Sequence, residues 1–245
     1  MKRLDVVLPL YRPGEGWEKH IAGAITGLRE YFAGKDFELV FYATNDGAPS
    51  ECYPEEKLAY VRDAAAGNFH FIPYEVNQGK GHSLRFLISR CEGDYVVYTD
   101  GDFPFGYMSV AQAFELLDAG NDVVMGKRGK DYNGALSPVR KILSKGVRLF
   151  NLVLLGLPAE LRDTQAGLKG FNRRGREVFL KTTVKKFVFD TEFILLAWKN
   201  SLRIVPLQIH VRENLVLSSM GLNVMVREFM SLLRVIWRVR VLRKF

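Results

Sequence analysis

Strand-forming runs alternate with helix-period segments from Leu4 to Met125, and this alternation is the strongest constraint on the fold. Leu4–Leu10 reads as a buried strand, and Trp17–Phe32 as a helix with Ile21, Ala24, Ile25, Leu28 and Phe32 on one face. Phe37–Ala43 is the next strand, closed by the turn signal Asn45-Asp46-Gly47. Helical segments at Glu55–Ala66, Gly81–Cys91 and Met108–Ala119 interleave with strands at His70–Tyr74, Asp94–Thr99 and Asp122–Met125. Strands joined through helices make right-handed crossovers, so the pattern predicts an α/β fold: a mostly parallel central sheet flanked by helices.

After Gly126 the alternation stops. Pro138–Leu155 reads as one long helix and Arg162–Asn172 as a loop and strand. Arg173–Lys181 and Asp190–Lys199 read as helices, and Leu202–Val211 as a strand. From Leu222 onward Val224, Phe229, Leu233 and Trp237 interleave with Arg227, Arg234, Arg238 and Arg243 as a basic amphipathic helix. No repeat or Pro/Ser-rich linker intervenes, so one continuous domain is expected over 1–221, with the C-terminal amphipathic helix over 222–245.

The two cysteines, Cys52 and Cys91, form neither a disulfide framework nor a metal-binding spacing, which points to a reducing compartment. The N-terminus is interrupted too early by Asp5 and Pro9 for a secretory signal, and no stretch has the length of a membrane span. The expectation is a cytoplasmic protein with at most peripheral contact with the inner face of the membrane. The net charge of +8 calls for an anionic partner: nucleic acid, a phosphate-bearing substrate or an acidic lipid surface.

Chemistry concentrates where the strand Tyr95-Val96-Val97-Tyr98-Thr99 meets Asp100-Gly101-Asp102. Phe103-Pro104-Phe105-Gly106 then ends any central strand. Two carboxylates just outside a strand's carboxyl end can hold a divalent cation that in turn holds a phosphate, although the same spacing occurs in plain surface turns. The segment from Asn77 through Gly79, Lys80 and Gly81 to Arg85 would offer backbone amides and a helix N-terminus to an anion, or is an ordinary helix-start loop. Gly126-Lys127-Arg128 follows the next strand and would bring cations near the two acids. Arg140 and Ser144, four apart, share a helix face that suits a phosphate or simply faces water. Asp163 to Phe171 is a polar, glycine-bearing loop, and Asp190 and Glu192 open a helix, where they satisfy its dipole or face substrate.

Six segments in this order resemble family 2 glycosyltransferases of the GT-A (Rossmann-like) fold, in the dolichyl- or polyprenyl-phosphate mannose/glucose synthase branch. They are Leu8-Pro9-Leu10-Tyr11, the Asn77–Gly81 loop, Asp100-Gly101-Asp102, Gly126-Lys127-Arg128, Asp163–Phe171 and Phe189-Asp190-Thr191-Glu192. The resemblance runs from about Leu4 to Arg212 and implies a nucleotide-sugar half over about 1–128 and an acceptor half over about 129–221. It implies that Asp100 and Asp102 bind Mg²⁺ or Mn²⁺ and that Pro9, Tyr11, Asp46, Asn77, Lys80, Asp100 and Asp102 bind a GDP- or UDP-linked sugar. It further implies that Arg128 clamps phosphate, that Arg128, Arg140, Ser144 and Arg212 meet a lipid-phosphate acceptor, and that Asp102, Arg128, Asp190 and Glu192 are catalytic, the last two facing that acceptor.

Three departures stand out. Arg12-Pro13 replaces the family's Asn-Glu, leaving Glu15 as a substitute; Ala48 replaces a serine; and Pro104 stands where the lipid-acceptor branch often has a metal-ligating Gln. His210 is either a late metal ligand or a structural residue. The implied reaction is inverting, metal-dependent sugar transfer to a polyprenyl phosphate. Transfer to a hydroxyl of a glycan or glycolipid is the alternative and needs Asp190 or Glu192 as base. A nucleotidyltransferase would want a fuller Gly/Arg loop than Arg12-Pro13-Gly14-Glu15-Gly16. Nucleic acid is disfavoured as a partner, because the basic residues are spread rather than clustered among aromatics.

Overall fold

The computed structural model describes residues 1–129, 156–186 and 188–211. A seven-stranded sheet carries the fold, in the order β3-β2-β1-β4-β6-β5-β7. Its strands are β1 (Lys2–Leu10), β2 (Phe37–Asn45), β3 (Phe69–Phe71), β4 (Tyr95–Tyr98), β5 (Val123–Arg128), β6 (Lys169–Asn172) and β7 (Ile204–Ile209). The helices are α1 (Trp17–Phe32), α2 (Glu55–Ala64), α3 (Lys80–Ile88), α4 (Met108–Asp118), α5 (Arg173–Leu180) and α6 (Phe189–Lys199). β6 pairs antiparallel with both β4 and β5, and every other pairing is parallel.

Side-chain alternation splits the core into two layers, as a sheet covered on both faces requires. Leu4, Val6 and Leu8 of β1 point to one face and pack with α1, α2 and α4. Val7 of β1, with Val40 and Tyr42 of β2, points to the other and packs with α3, α5 and α6. Burying each such aliphatic side chain is worth about 1.5–3 kcal/mol, so register slips that exchange the two faces are strongly disfavoured. Asp5, fully buried among them, is satisfied by Arg3 Nε at 2.8 Å and by the backbone N–H groups of Glu92 and Gly93, each at 2.8 Å.

Three elements differ from expectation. β3 stops at Phe71 because Pro73 has no N–H to donate, and Tyr74 rejoins only as an isolated bridge to Asp46. β5 extends through Gly126-Lys127-Arg128 because β7 pairs with it residue for residue as far as Arg128 and Ile209. β6 inserts between β4 and β5, so Arg128 ends a strand two places from the Asp100 strand rather than beside it. The long helix expected over Pro138–Leu155 and the amphipathic helix expected over 222–245 lie outside the described residues.

Candidate active site

Every strand but β6 ends at one edge of the sheet, and β6 starts there. The edge therefore collects Pro9, Asp46, Asp100, Arg128 and Lys169, together with the first turns of α3 and α6. A tight turn follows β4: Phe103 N–H donates to the Asp100 carbonyl at 2.9 Å, and buried Phe103 sits at φ 45°. A bulky residue in this left-handed region is strained, of the kind found at functional sites. Gly101 permits the turn, since a Cβ there would overlap Leu10. Asp102 is exposed, and the Asp100 side chain keeps 40% of its surface in water. Lys80, first residue of α3, forms an ion pair with Asp100 Oδ1. Burial opposes the Lys80 charge, but Asp100, Asp190 and Asp102 outweigh it and raise its pKa.

The Asn77–Gly79 loop does hold an anion at its backbone amides, but the anion belongs to the chain itself. Asp46, 5% exposed, accepts from Gln78 N–H at 2.8 Å, Gly79 N–H at 3.0 Å, Tyr74 Oη at 2.7 Å and Asn77 Nδ2 at 3.2 Å. The amides of Gly81 and His82, at the start of α3, donate to the Lys185 carbonyl at 2.8 and 3.2 Å. Gly79 adopts φ 93°, and a Cβ there would come 2.7 Å from that same carbonyl. The expected phosphate cradle is thus filled by internal acceptors. Asp46 and Asn77 lie in this strut rather than in an open cleft.

Arg128 and Asp163 form a partly buried pair: the Arg128 backbone N–H donates to Asp163 Oδ2 at 2.8 Å, and Nε donates to the two oxygens at 3.2 and 3.1 Å. Lys169 is fully buried, donating to Asp190 Oδ1 at 2.8 Å, to the Thr164 carbonyl at 2.6 Å and to the Ala166 carbonyl. Burial lowers the Lys169 pKa, against the pull of Asp190. Tyr98 Oη donates to the same Asp190 oxygen at 2.5 Å, and burial, then Asp190, holds its hydroxyl well above its ordinary value. Glu192, 1% exposed, accepts from Thr183 N–H, Val184 N–H and Thr183 Oγ1 at 2.8, 2.8 and 2.9 Å. Asp190 and Glu192, expected to face the acceptor, are both buried here: Glu192 props the 182–184 loop, and Asp190 is 4% exposed beneath Lys169 and Tyr98.

Sequence reasoning assigns no role to Asp163, Lys169 or Tyr98. For the first two the signal was present, since both lie in the Asp163–Phe171 segment. Tyr98 looked like another strand aromatic. Of the remaining candidates, Pro9 is half-buried near the end of β1 and Tyr11 is 50% exposed beyond it, with the Arg12 guanidinium 5.6 Å from the Tyr11 ring centroid. Arg12 takes φ 44°, a second strained residue at this edge. Glu15 and His210 are exposed. Arg140, Ser144 and Arg212 lie outside the described residues.

Among the described residues no group of three or more His, Cys, Asp or Glu side chains gathers to hold a metal. Asp100 and Asp102 nevertheless fit Mg²⁺ or Mn²⁺, which binds through one or two carboxylates and completes its shell with water and phosphate oxygens. Buried Pro104 offers no further donor.

The profile of glycosyl transferase family 2 matches residues 5–176. A dolichyl-phosphate beta-glucosyltransferase of Trichomonas vaginalis is 25% identical over 221 residues, covering 86% of this chain and 66% of that protein. The chain thus spans just under two thirds of that relative's length. Glucosyl-3-phosphoglycerate synthase from Mycobacterium tuberculosis with bound UDP superimposes with a TM-score of 0.69 at 15% identity, covering 96% of this chain and 79% of that one. The same enzyme with Mn²⁺, UDP and glucosyl-3-phosphoglycerate superimposes at 0.63 and 15% identity, covering 96% and 79%. These likenesses establish a GT-A-like fold for the sheet and its helices.

Proposed function

We propose, for a chain that belongs to glycosyl transferase family 2, inverting transfer of a sugar from a nucleotide sugar to a polyprenyl-phosphate-type lipid. The donor would lie along the carboxyl edge of β1 and β4. Exposed Tyr11 offers its ring to the base, and Asp100, Asp102 and Lys80 meet the diphosphate end. Asp100 and Asp102 are the residues that would hold a divalent cation, which supplies charge neutralisation for the departing diphosphate. Mn²⁺ and UDP bound to the mycobacterial synthase support this choice of cation and donor.

One observation carries the acceptor. The two acids that the sequence offers as a base for a hydroxyl acceptor are buried and hydrogen-bonded among the described residues, Asp190 to Lys169 and Tyr98, Glu192 to the 182–184 loop. Neither is open to take a proton from a hydroxyl. A phosphate oxygen is already anionic and attacks without a base. The named activity of the Trichomonas relative supports the same reading. Lys169 then acts by position: it locks Asp190 to the Thr164 and Ala166 carbonyls and so fixes the floor of the edge. The sequence of 222–245, alternating apolar and basic, supports contact with an anionic membrane surface. Arg140, Ser144 and Arg212 are the sequence-based candidates for the acceptor phosphate.

The test is transfer of label from UDP-glucose or GDP-mannose, with MnCl₂, to dolichyl phosphate, polyprenyl phosphate or 3-phosphoglycerate. Label should appear in the lipid phosphates and vanish in Asp102→Asn, which should still fold. Label in phosphoglycerate alone refutes the lipid acceptor, and undiminished transfer by Asp102→Asn refutes the metal assignment.

A further inference from the structure

We infer that Lys80 is a built-in counter-cation for Asp100 that makes divalent-cation binding conditional on the diphosphate of the nucleotide. The inference rests on the donor-site reading above and adds an order of assembly to it.

The geometry around Asp100 already supplies one cation. Lys80 Nζ takes Oδ1. Oδ2 lies against Gly167, so close that a Cβ on that glycine would overlap it, and the same Cβ would sit 3.6 Å from Lys80 Nζ. Asp100 is thus gripped from both sides, by an ammonium and by backbone. The root of Lys80 is equally constrained. The amides just before it are bound to Asp46, and those just after it to the Lys185 carbonyl. Only the four-carbon stem can move.

A divalent ion approaching Asp100 and Asp102 therefore meets a positive charge already paired with one of its ligands. Like charges at such separations repel strongly where water is partly excluded. A nucleoside diphosphate changes the balance, because its oxygens can accept both the ion and the Lys80 ammonium. Cation and nucleotide then bind together, and each weakens when the other leaves, as linkage requires. After transfer, departure of the diphosphate returns Lys80 to Asp100 and favours release of the ion.

The test uses the full chain with MnCl₂ alone, following free Mn²⁺ by electron paramagnetic resonance, with and without UDP or GDP. Wild type should bind Mn²⁺ weakly alone and at least about tenfold more tightly with the preferred diphosphate, the size of an ordinary coupling between sites. Lys80→Met should bind Mn²⁺ alone about tenfold more tightly than wild type and lose most of the enhancement by nucleotide, because the competing charge is gone. Lys80→Arg, which keeps the charge, should behave as wild type. Equal or weaker Mn²⁺ binding by Lys80→Met overturns the inference, as does wild-type Mn²⁺ affinity that ignores nucleotide. The second result needs no variant and decides the matter should Lys80→Met not fold. If Mn²⁺ binds no better in wild type than in Asp102→Asn under every condition, the donor-site reading falls as well, an outcome distinct from the other two.

Discussion

Replacing Asp46 by Asn separates two roles for that residue: a contact to the base, as the family resemblance implies, or the strut seen in the structure. The carboxylate accepts Gln78 N–H at 2.8 Å and Tyr74 Oη at 2.7 Å on Oδ1, and Gly79 N–H at 3.0 Å and Asn77 Nδ2 at 3.2 Å on Oδ2. An Asn that keeps its oxygen toward Gln78 and Tyr74 turns an NH₂ group toward two donors. Two charge-assisted bonds are lost, each worth about 1.5–3 kcal/mol, and the released Gly79 amide recovers part of that from water. The expected net loss is about 3 kcal/mol, or a Tm lower by about 6–12 °C for a chain of this size. The loss is local, so hydrogen exchange at Gln78 and Gly79 should accelerate far more than in β1. Urea unfolding and amide exchange together read both quantities. An Asp46→Asn protein within about 0.5 kcal/mol of wild type, a typical surface substitution, with unaltered exchange but a changed preference between UDP and GDP, would refute the strut and restore the base contact.

Two further outcomes follow from burial at the opposite edge of the sheet and in the core. Burial raises the Asp122 carboxyl, but the Arg203 amide at 2.9 Å and Asn172 Nδ2 at 2.9 Å, with Arg174 nearby, overcome this and depress its pKa below 3.8. Its contribution is therefore complete above the ordinary carboxyl range and lost as pH falls through the depressed value. Asp122→Asn should cost about 1–3 kcal/mol at pH 7, and denaturant midpoints should begin to converge with wild type only below about pH 4; a deficit constant with pH excludes the linkage. Burial, ahead of any neighbouring charge, pushes the Cys91 thiol far above its ordinary value, whereas Cys52 is partly exposed. Titration of native protein with a thiol reagent at pH 8 should modify Cys52 first and leave Cys91 protected until the protein unfolds; fast modification of Cys91 contradicts its place in the core.

The parallel part of the sheet was legible because its information is local. The apolar stripe of Trp17–Phe32 gave α1 with the bounds observed, and the polar break after Tyr98 put Asp100 and Asp102 at a strand end. β6 was legible only as a loop and short strand. Its four residues, Lys169-Gly170-Phe171-Asn172, carry too little pattern to say that they insert antiparallel between β4 and β5. Pairing across such a sequence distance is decided by packing, and a lysine with no exposed surface contradicts every surface prior. Residues two apart on a helix point about 160° away from each other, given 3.6 residues per turn, so Asp190 and Glu192 meet different surroundings.

The arrangement of charge explains how this edge holds its shape. Asp46, Asp163, Asp190 and Glu192 each organise a loop: the 77–79 turn, the start of the 163–168 segment, the floor under Lys169 and the 182–184 turn. Burying such groups costs desolvation, and apolar replacements of similar shape are often no less stable. What the carboxylates provide is direction, since each fixes backbone groups that an apolar side chain would leave unpaired. The loops that frame Asp100 and Asp102 are thereby set before any substrate arrives. In catalysis by electrostatic stabilisation, dipoles and charges already in place need not reorganise as charge develops on the leaving diphosphate. On the proposed donor-site reading, Asp100, Asp102 and the stem of Lys80 would respond to substrate, while the four buried carboxylates hold still. Substitutions among those four should then act on stability and on the positions of neighbouring loops, and only through them on transfer.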